Sequence, residues 1–298
     1  MSHMSTPSES RRKKDSRRSG EFPPAPEPLS VPVFDSHTHL DLTIQEAGVP
    51  GDAGADPIEA LIGAAAKSGV DRVVQVGVDV ASSVWGADLA ERHGSVLAAV
   101  ALHPNEAPRL DDLDEALRVI ESLAARPRVR GIGETGLDTF RTGEEGRAAQ
   151  EESFRAHIAI AKRYGKALII HDREAHADVL RVLDEEGAPD RVVLHCFSGD
   201  AEFAAECVRR GYYLSFAGTV TFASAVNLRE AAALTPAGQM MVETDAPYLT
   251  PTPYRGRPNA SYLVPLTMRA LATASGTDLD TLCAAISATG DEVFGGWA

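Results

Sequence analysis

An aspartate and two histidines alternate in the stretch Phe34-Asp35-Ser36-His37-Thr38-His39-Leu40, directly after the apolar run Val31 to Phe34. Side chains on a strand alternate between faces, so Asp35, His37 and His39 share one face. Two imidazoles and a carboxylate converging at a strand end suit a divalent cation. Further along, His103, Glu134, His171, His195 and Asp245 each close a short apolar run. Four histidine ligands and two carboxylates are too many for one tetrahedral ion. They suit two cations about 3.5–4 Å apart with one carboxylate shared, an arrangement that clamps a phosphoryl group and activates water. Glu134, from the middle of the chain, is the candidate bridge. Asp35 and Glu243 read as carboxylates that orient the histidines from behind.

The apolar runs must be the elements that position these residues. Val31–Phe34, Asp71–Val76, Ser95–Leu102, Arg128–Gly133, Ala167–Ile170, Arg191–Leu194, Tyr212–Phe216 and Gln239–Glu243 read as eight strands. Helical patterns fill the gaps, with Gly69, Gly94, Gly165, Gly187 and Gly211 where helix C-terminal glycines belong. Two more helices, about 260–274 and 279–294, finish the chain. Strands that are short and almost wholly apolar, alternating with helices, predict a closed parallel α/β barrel, the TIM (β/α)8 fold, as a single domain over residues 31–298. A doubly wound open sheet is the alternative. In the barrel every strand exit lies on one rim, where barrel enzymes keep their sites. Period-two parity places Glu134, His171 and His195 toward the axis and turns Cys196 toward the helical layer, as packing.

The chain has 298 residues, 44% hydrophobic and 24% charged, with formal charge −14. Within residues 1–30 six Lys/Arg oppose four acids, a net +2 that leaves −16 on the remainder. So acidic a body does not wrap duplex DNA by its general field; a nucleic-acid substrate must be admitted by local cations or by metals. Residues 1–30, with Arg11-Arg12-Lys13-Lys14, Arg17-Arg18 and a proline cluster at 23–28, read as a disordered tail, of which 1–3 look like a cloning remnant. The arginine pairs lack a following apolar segment, so export is not expected. No run of about 18 apolar residues spans a membrane. Three cysteines without a C-x-x-C pair fit a reducing cytoplasm.

The combination of Phe34–Leu40, Leu102-His103-Pro104, Gly131-Ile132-Gly133-Glu134-Thr135-Gly136-Leu137-Asp138, His171-Asp172-Arg173, His195-Cys196-Phe197-Ser198-Gly199 and Glu243-Thr244-Asp245-Ala246-Pro247-Tyr248-Leu249 resembles the TatD family of metal-dependent deoxyribonucleases. The resemblance runs from about residue 31 to 294. It implies a TIM barrel of the metal-dependent hydrolase superfamily that cleaves DNA phosphodiesters, here at accessible or single-stranded 3′ ends. It also implies that His37, His39, Glu134 and Asp245 hold one metal, that Glu134, His171 and His195 hold a second, and that Asp245 accepts a proton from the attacking water. The chain differs from the usual family pattern at Ala101, Asn105, Thr139 and Ala260-Ser261, all at the rim.

Mg²⁺ or Mn²⁺ is the expected working ion; Zn²⁺ suits the imidazole-rich sites as purified. Arg173, Arg255 and Arg257 are the cations nearest the rim, and His103 could donate to a phosphate oxygen. Tyr248 and Phe197 are aromatic residues that could stack on a base or lie in the core. Two other readings stay open. One is an amidohydrolase acting on a small amide, ester or phosphoester. Many of these bridge their metals with a carbamylated lysine on the fourth strand, whereas this chain has no lysine between Ser68 and Ala161. The other is a non-catalytic metal- or nucleic-acid-binding scaffold. Oligomeric state is left open.

Overall fold

A computed structural model of the protein describes residues 21–50 and 56–297. Eight strands form one parallel sheet in sequence order: β1 (Val33–Thr38), β2 (Val70–Val76), β3 (Val96–Val100), β4 (Val129–Asp138), β5 (Ala167–Arg173), β6 (Val192–Leu194), β7 (Tyr213–Phe216) and β8 (Met240–Val242). The ring closes through a bridge between Thr38 and Ala246, with His39 N donating to the Ala246 carbonyl and Asp245 N to the His37 carbonyl. The expected TIM barrel is therefore present. Strands β1, β3 and β6 are buried on both faces along their whole length, as the near-continuous apolar runs require.

The helices are α1 (Leu40–Ala47), α2 (Pro57–Lys67), α3 (Val80–Arg92), α4 (Leu113–Ala124), α5 (Glu144–Tyr164), α6 (His176–Glu186), α7 (Ala201–Arg209), α8 (Val226–Leu234), α9 (Val264–Ser275) and α10 (Leu279–Phe294). Aspartates begin five of them, with the side chains of Asp56, Asp79, Asp112, Asp200 and Asp278 accepting from first-turn amides. None of the helices among the described residues is long and apolar enough to cross a membrane. The short α1, directly after His39, was not anticipated. Its eight residues carry too little periodicity to stand out, and it is anchored by tertiary contact: Gln75 accepts from Leu40 N and donates to Asp41.

The expectation of disorder through residue 30 needs correction for the described part of that segment. Residues 21–30 lie extended along the barrel, and residues 1–20 lie outside the described residues. Leu29 is buried and its N–H donates to the Ser68 carbonyl. Tyr262 Oη donates to the Pro23 carbonyl at 2.6 Å, Arg269 to that of Glu27, and Arg257 to those of Glu21 and Phe22. Prolines at 23, 24, 26 and 28 already restrict the unfolded chain, so ordering it costs little entropy, and Phe22 and Leu29 supply apolar anchors.

Candidate metal centre

Glu134 stands at the middle of the strand-exit cluster. Its Oε2 lies 2.7 Å from His195 Nε2, 3.6 Å from His171 Nδ1 and 3.7 Å from His37 Nε2; its Oε1 lies 3.5 Å from His103 Nε2. Asp245 Oδ1 is 3.4 Å from His39 Nε2 and 3.8 Å from His37 Nε2. His37 stacks on His195 with ring centroids 3.9 Å apart. All six expected ligands and His103 thus meet in one place.

The backbone that presents them departs from a plain pleat. β4 continues past Glu134 to Asp138 with a register shift against β5 between Ile132 and Thr135, and its Gly133–Glu134 peptide is cis. Gly133 (φ 157°) and Gly136 (φ 137°) pass so close to β5 that a Cβ would sit 2.4 Å from the Ile169 side chain and 2.1 Å from the His171 carbonyl. Glycine is the residue that lets Glu134 and His171 approach. Asp245 (φ 53°) and Cys196 (φ 43°) are left-handed non-glycine residues at strand exits, a strain that concentrates at functional sites. At Cys196 the αL backbone departs from strand alternation and its N–H donates to Glu243 Oε1, while burial, then the charges of Glu243, Asp245 and Glu134, push its thiol well above the ordinary range.

One nitrogen of most imidazoles is already committed. His39 Nδ1 bonds the Val76 carbonyl at 2.9 Å, His195 Nδ1 bonds Glu243 Oε1 at 3.2 Å, and His171 Nε2 bonds Asp138 Oδ2 at 3.3 Å. These acceptors fix tautomers that leave His39 Nε2, His195 Nε2 and His171 Nδ1 as lone pairs turned toward carboxylates. His37 is fully buried and neither of its ring nitrogens has a hydrogen-bond partner. His103 differs. Its Nδ1 accepts from Asn105 N at 3.0 Å, so Nε2 carries the proton and is a donor rather than a ligand.

The electrostatics show what this cluster requires. Burial lowers the pKa of His39, yet the Asp245 hydrogen bond and the Glu134 charge raise it to about 9. Burial likewise opposes charge on His195, and Glu243 and Glu134 raise it well above the ordinary value; His171 is raised against burial by Asp138 and Glu134. Burial and the neighbouring His195 hold His37 well below its ordinary value, and burial holds His103 down to about 3. Glu134, which burial alone would push up, is held well below the carboxylate range by His103, His195 and His171. Carboxylates this buried demand positive charge at the points their imidazole partners face, which divalent cations can supply. His37, His39 and Glu134 converge within 4.8 Å, as do His37, His195 and Glu243; His103, Glu134 and His171 also converge, although His103 turns a protonated Nε2 rather than a lone pair to Glu134. The donor set fits metal.

Of the two carboxylates expected behind the histidines, Glu243 does hold His195, and its Oε1 also accepts from Cys196 N. Asp35 does not hold an imidazole. Its oxygens accept from Thr244 N, Thr244 Oγ1 and His37 N, tying β1 to the exit of β8, and burial pushes it up to about 7. The orienting carboxylate overlooked in the sequence is Asp138, which bonds His171 and receives Asn105 Nδ2 at 2.8 Å. It shares period-two parity with Glu134, a signal available in the motif. Arg173 and Arg255 lie over Phe140 and Phe222, and Arg257 is engaged in clamping Glu21 and Phe22. Phe197 is core, packed on Phe203 and Phe216; Tyr248 is half-buried, 6.4 Å from the His39 ring.

The family model described as TatD related DNase matches residues 34–295. The chain belongs to the TatD family. A metal-dependent hydrolase TatD from Mycobacterium tuberculosis is 49% identical over 244 residues, covering 80% of this chain and 89% of the relative. A protein of Enterobacter lignolyticus named 3′-5′ ssDNA/RNA exonuclease TatD is 33% identical over 219 residues, 71% of this chain and 83% of that one. Among solved structures, a TatD homologue from Escherichia coli K12 superposes with a TM-score of 0.79 at 25% identity, over 88% of this chain and 97% of the other. This TatD-family chain is accordingly a metal-dependent hydrolase.

The TatD barrel also contains a buried histidine remote from the cluster's carboxylates. His157 on α5 donates from Nδ1 to the Ser153 carbonyl and accepts Leu102 N at 3.1 Å on Nε2, fixing the turn that carries His103. Burial lowers its pKa from 6.5 to about 4. The unfolded chain therefore binds this proton more readily. Its contribution is complete above pH ~6.5 and lost as pH falls toward 4, amounting to roughly 3 kcal/mol. Denaturant titrations of wild type and His157→Gln should show their stability difference shrinking by about that amount between pH 7 and pH 4. A difference independent of pH would remove His157 from the account.

Proposed function

We propose that this protein hydrolyses DNA phosphodiester bonds, working on accessible single-stranded 3′ ends with two divalent cations, Mg²⁺ or Mn²⁺ in use. The observation that carries this reading is the placement of one carboxylate, Glu134, within 3.7 Å of four imidazoles. His37, His39, Glu134 and Asp245 would hold one ion; Glu134, His171 and His195 would hold the other. Bound there, the ions supply Lewis-acid stabilisation of phosphoryl charge and make water a usable nucleophile near neutral pH. The name of the Enterobacter relative supports the substrate and the direction.

The chain's own groups account for the remaining steps. Asp245 takes the proton of the attacking water as the new P–O bond forms, and returns it to the alkoxide released when the old P–O bond breaks. His103, neutral with its proton on Nε2, donates to a non-bridging phosphate oxygen. The fourth strand carries Glu134 and the chain has no lysine between Ser68 and Ala161, which disfavours a lysine-bridged amidohydrolase.

The test is a metal-titrated assay of single-stranded DNA, duplex DNA, RNA and a phosphotriester, with product ends identified. Single-stranded DNA should be shortened from its 3′ end, faster than duplex, and chelation should stop the reaction. Turnover of the triester with intact DNA would overturn the proposal.

A further inference from the structure

Two of the four arginines that lie over aromatic rings among the described residues have other work. Arg72, over Phe34 and Trp297, is paired with Asp71 and Asp291, and Arg257, over Tyr254, clamps backbone carbonyls. Two do not. The Arg173 guanidinium carbon lies 4.5 Å from the Phe140 centroid and that of Arg255 lies 4.0 Å from Phe222, each without an ion pair among the described residues.

Both pairs sit on the catalytic rim. Phe140 follows β4 and Arg173 ends β5, whereas Phe222 follows β7 and Arg255 lies in the segment after β8, on another arc of the ring. Phe140 is 58% exposed, the most exposed large hydrophobic among the described residues. Its N–H donates to Asp138 Oδ1, and the other oxygen of that carboxylate bonds His171. Phe222 and Arg255 line a pocket of about 120 Å³ with Pro247 and Tyr248, immediately after Asp245. An aromatic ring at the surface beside a flat cation presents a π-face and local positive charge, the chemistry that takes a nucleobase without reading its identity.

We propose that the Phe140–Arg173 and Phe222–Arg255 pairs each stack one of the nucleobases flanking the scissile phosphate, so that a single strand lies across the centre between them. This rests on the phosphodiesterase reading above and adds to it the way the strand is gripped. It accounts for single strands as substrates, since bases in a duplex are already stacked on each other.

The test compares single-stranded oligonucleotides carrying one abasic residue on either side of the cleaved bond, and an all-abasic phosphodiester oligomer. Phe140→Ala and Phe222→Ala should each lower kcat/KM on the normal oligonucleotide by on the order of tenfold. Each variant should also lose the wild-type penalty for an abasic residue on one side only, a different side for each. On the all-abasic oligomer both should match wild type. If wild type cleaves normal and abasic strands equally well, or if the variants lose as much on the abasic oligomer, the stacking proposal is wrong while hydrolysis stands. If wild type cleaves neither strand, the phosphodiesterase reading fails, and this proposal with it.

Discussion

Glu134→Gln is expected to reduce hydrolysis by roughly 10³-fold or more at saturating metal, while the far-UV circular dichroism and elution volume stay those of wild type. The substitution keeps the shape and removes the charge that His37, His103, His171 and His195 all face. A neutral amide is a poor ligand and a poor bridge, so both proposed ion positions weaken together. The barrel itself should survive. Its interior is a continuous apolar layer including Phe34, Leu97, Ile132, Leu168 and Ile169, all buried and independent of the Glu134 charge. Rates within tenfold of wild type would mean that Glu134 orients histidines without serving as a ligand.

Asp245→Asn should cost about 10²–10⁴-fold in kcat, the range for losing a positioned proton acceptor. The effect on KM should be smaller, because the proposed base-stacking pairs and His103 remain. Asp245 keeps 15% of its side chain exposed where Glu134 is buried, and its αL backbone aims Oδ1 at the His37 and His39 Nε2 atoms. Steady-state kinetics of the variant check the role: a fall in kcat with KM little changed identifies a proton acceptor. Near-wild-type rates would overturn the assignment of Asp245 to the chemistry.

The fold was legible because the strands of a buried parallel sheet are continuous apolar runs, and the clustering of the candidate ligands because they fall at strand exits. Alternation predicted the convergence of Glu134, His171 and His195, even though β4 carries a register shift beside Glu134. It does not carry the left-handed turn at Cys196, a backbone event no hydropathy pattern encodes. Asp35 was misread for a related reason. It shares a face with His37 and His39, but the closing strand brings Thr244 to it first. The packing of residues 21–30 was illegible because it depends on Tyr262, Arg257 and Arg269, more than 200 positions away. The Arg–Phe pairs were half seen. The arginines were named for their charge, but their ring partners come from different strand exits.

The central claim is that Glu134 joins two divalent cations, and the most direct measurement is anomalous diffraction from crystals grown with Mn²⁺. The account predicts two ions per chain, one beside His37, His39 and Asp245, the other beside His171 and His195, with Glu134 bound to both. A single ion, or two ions of which only one contacts Glu134, would contradict it.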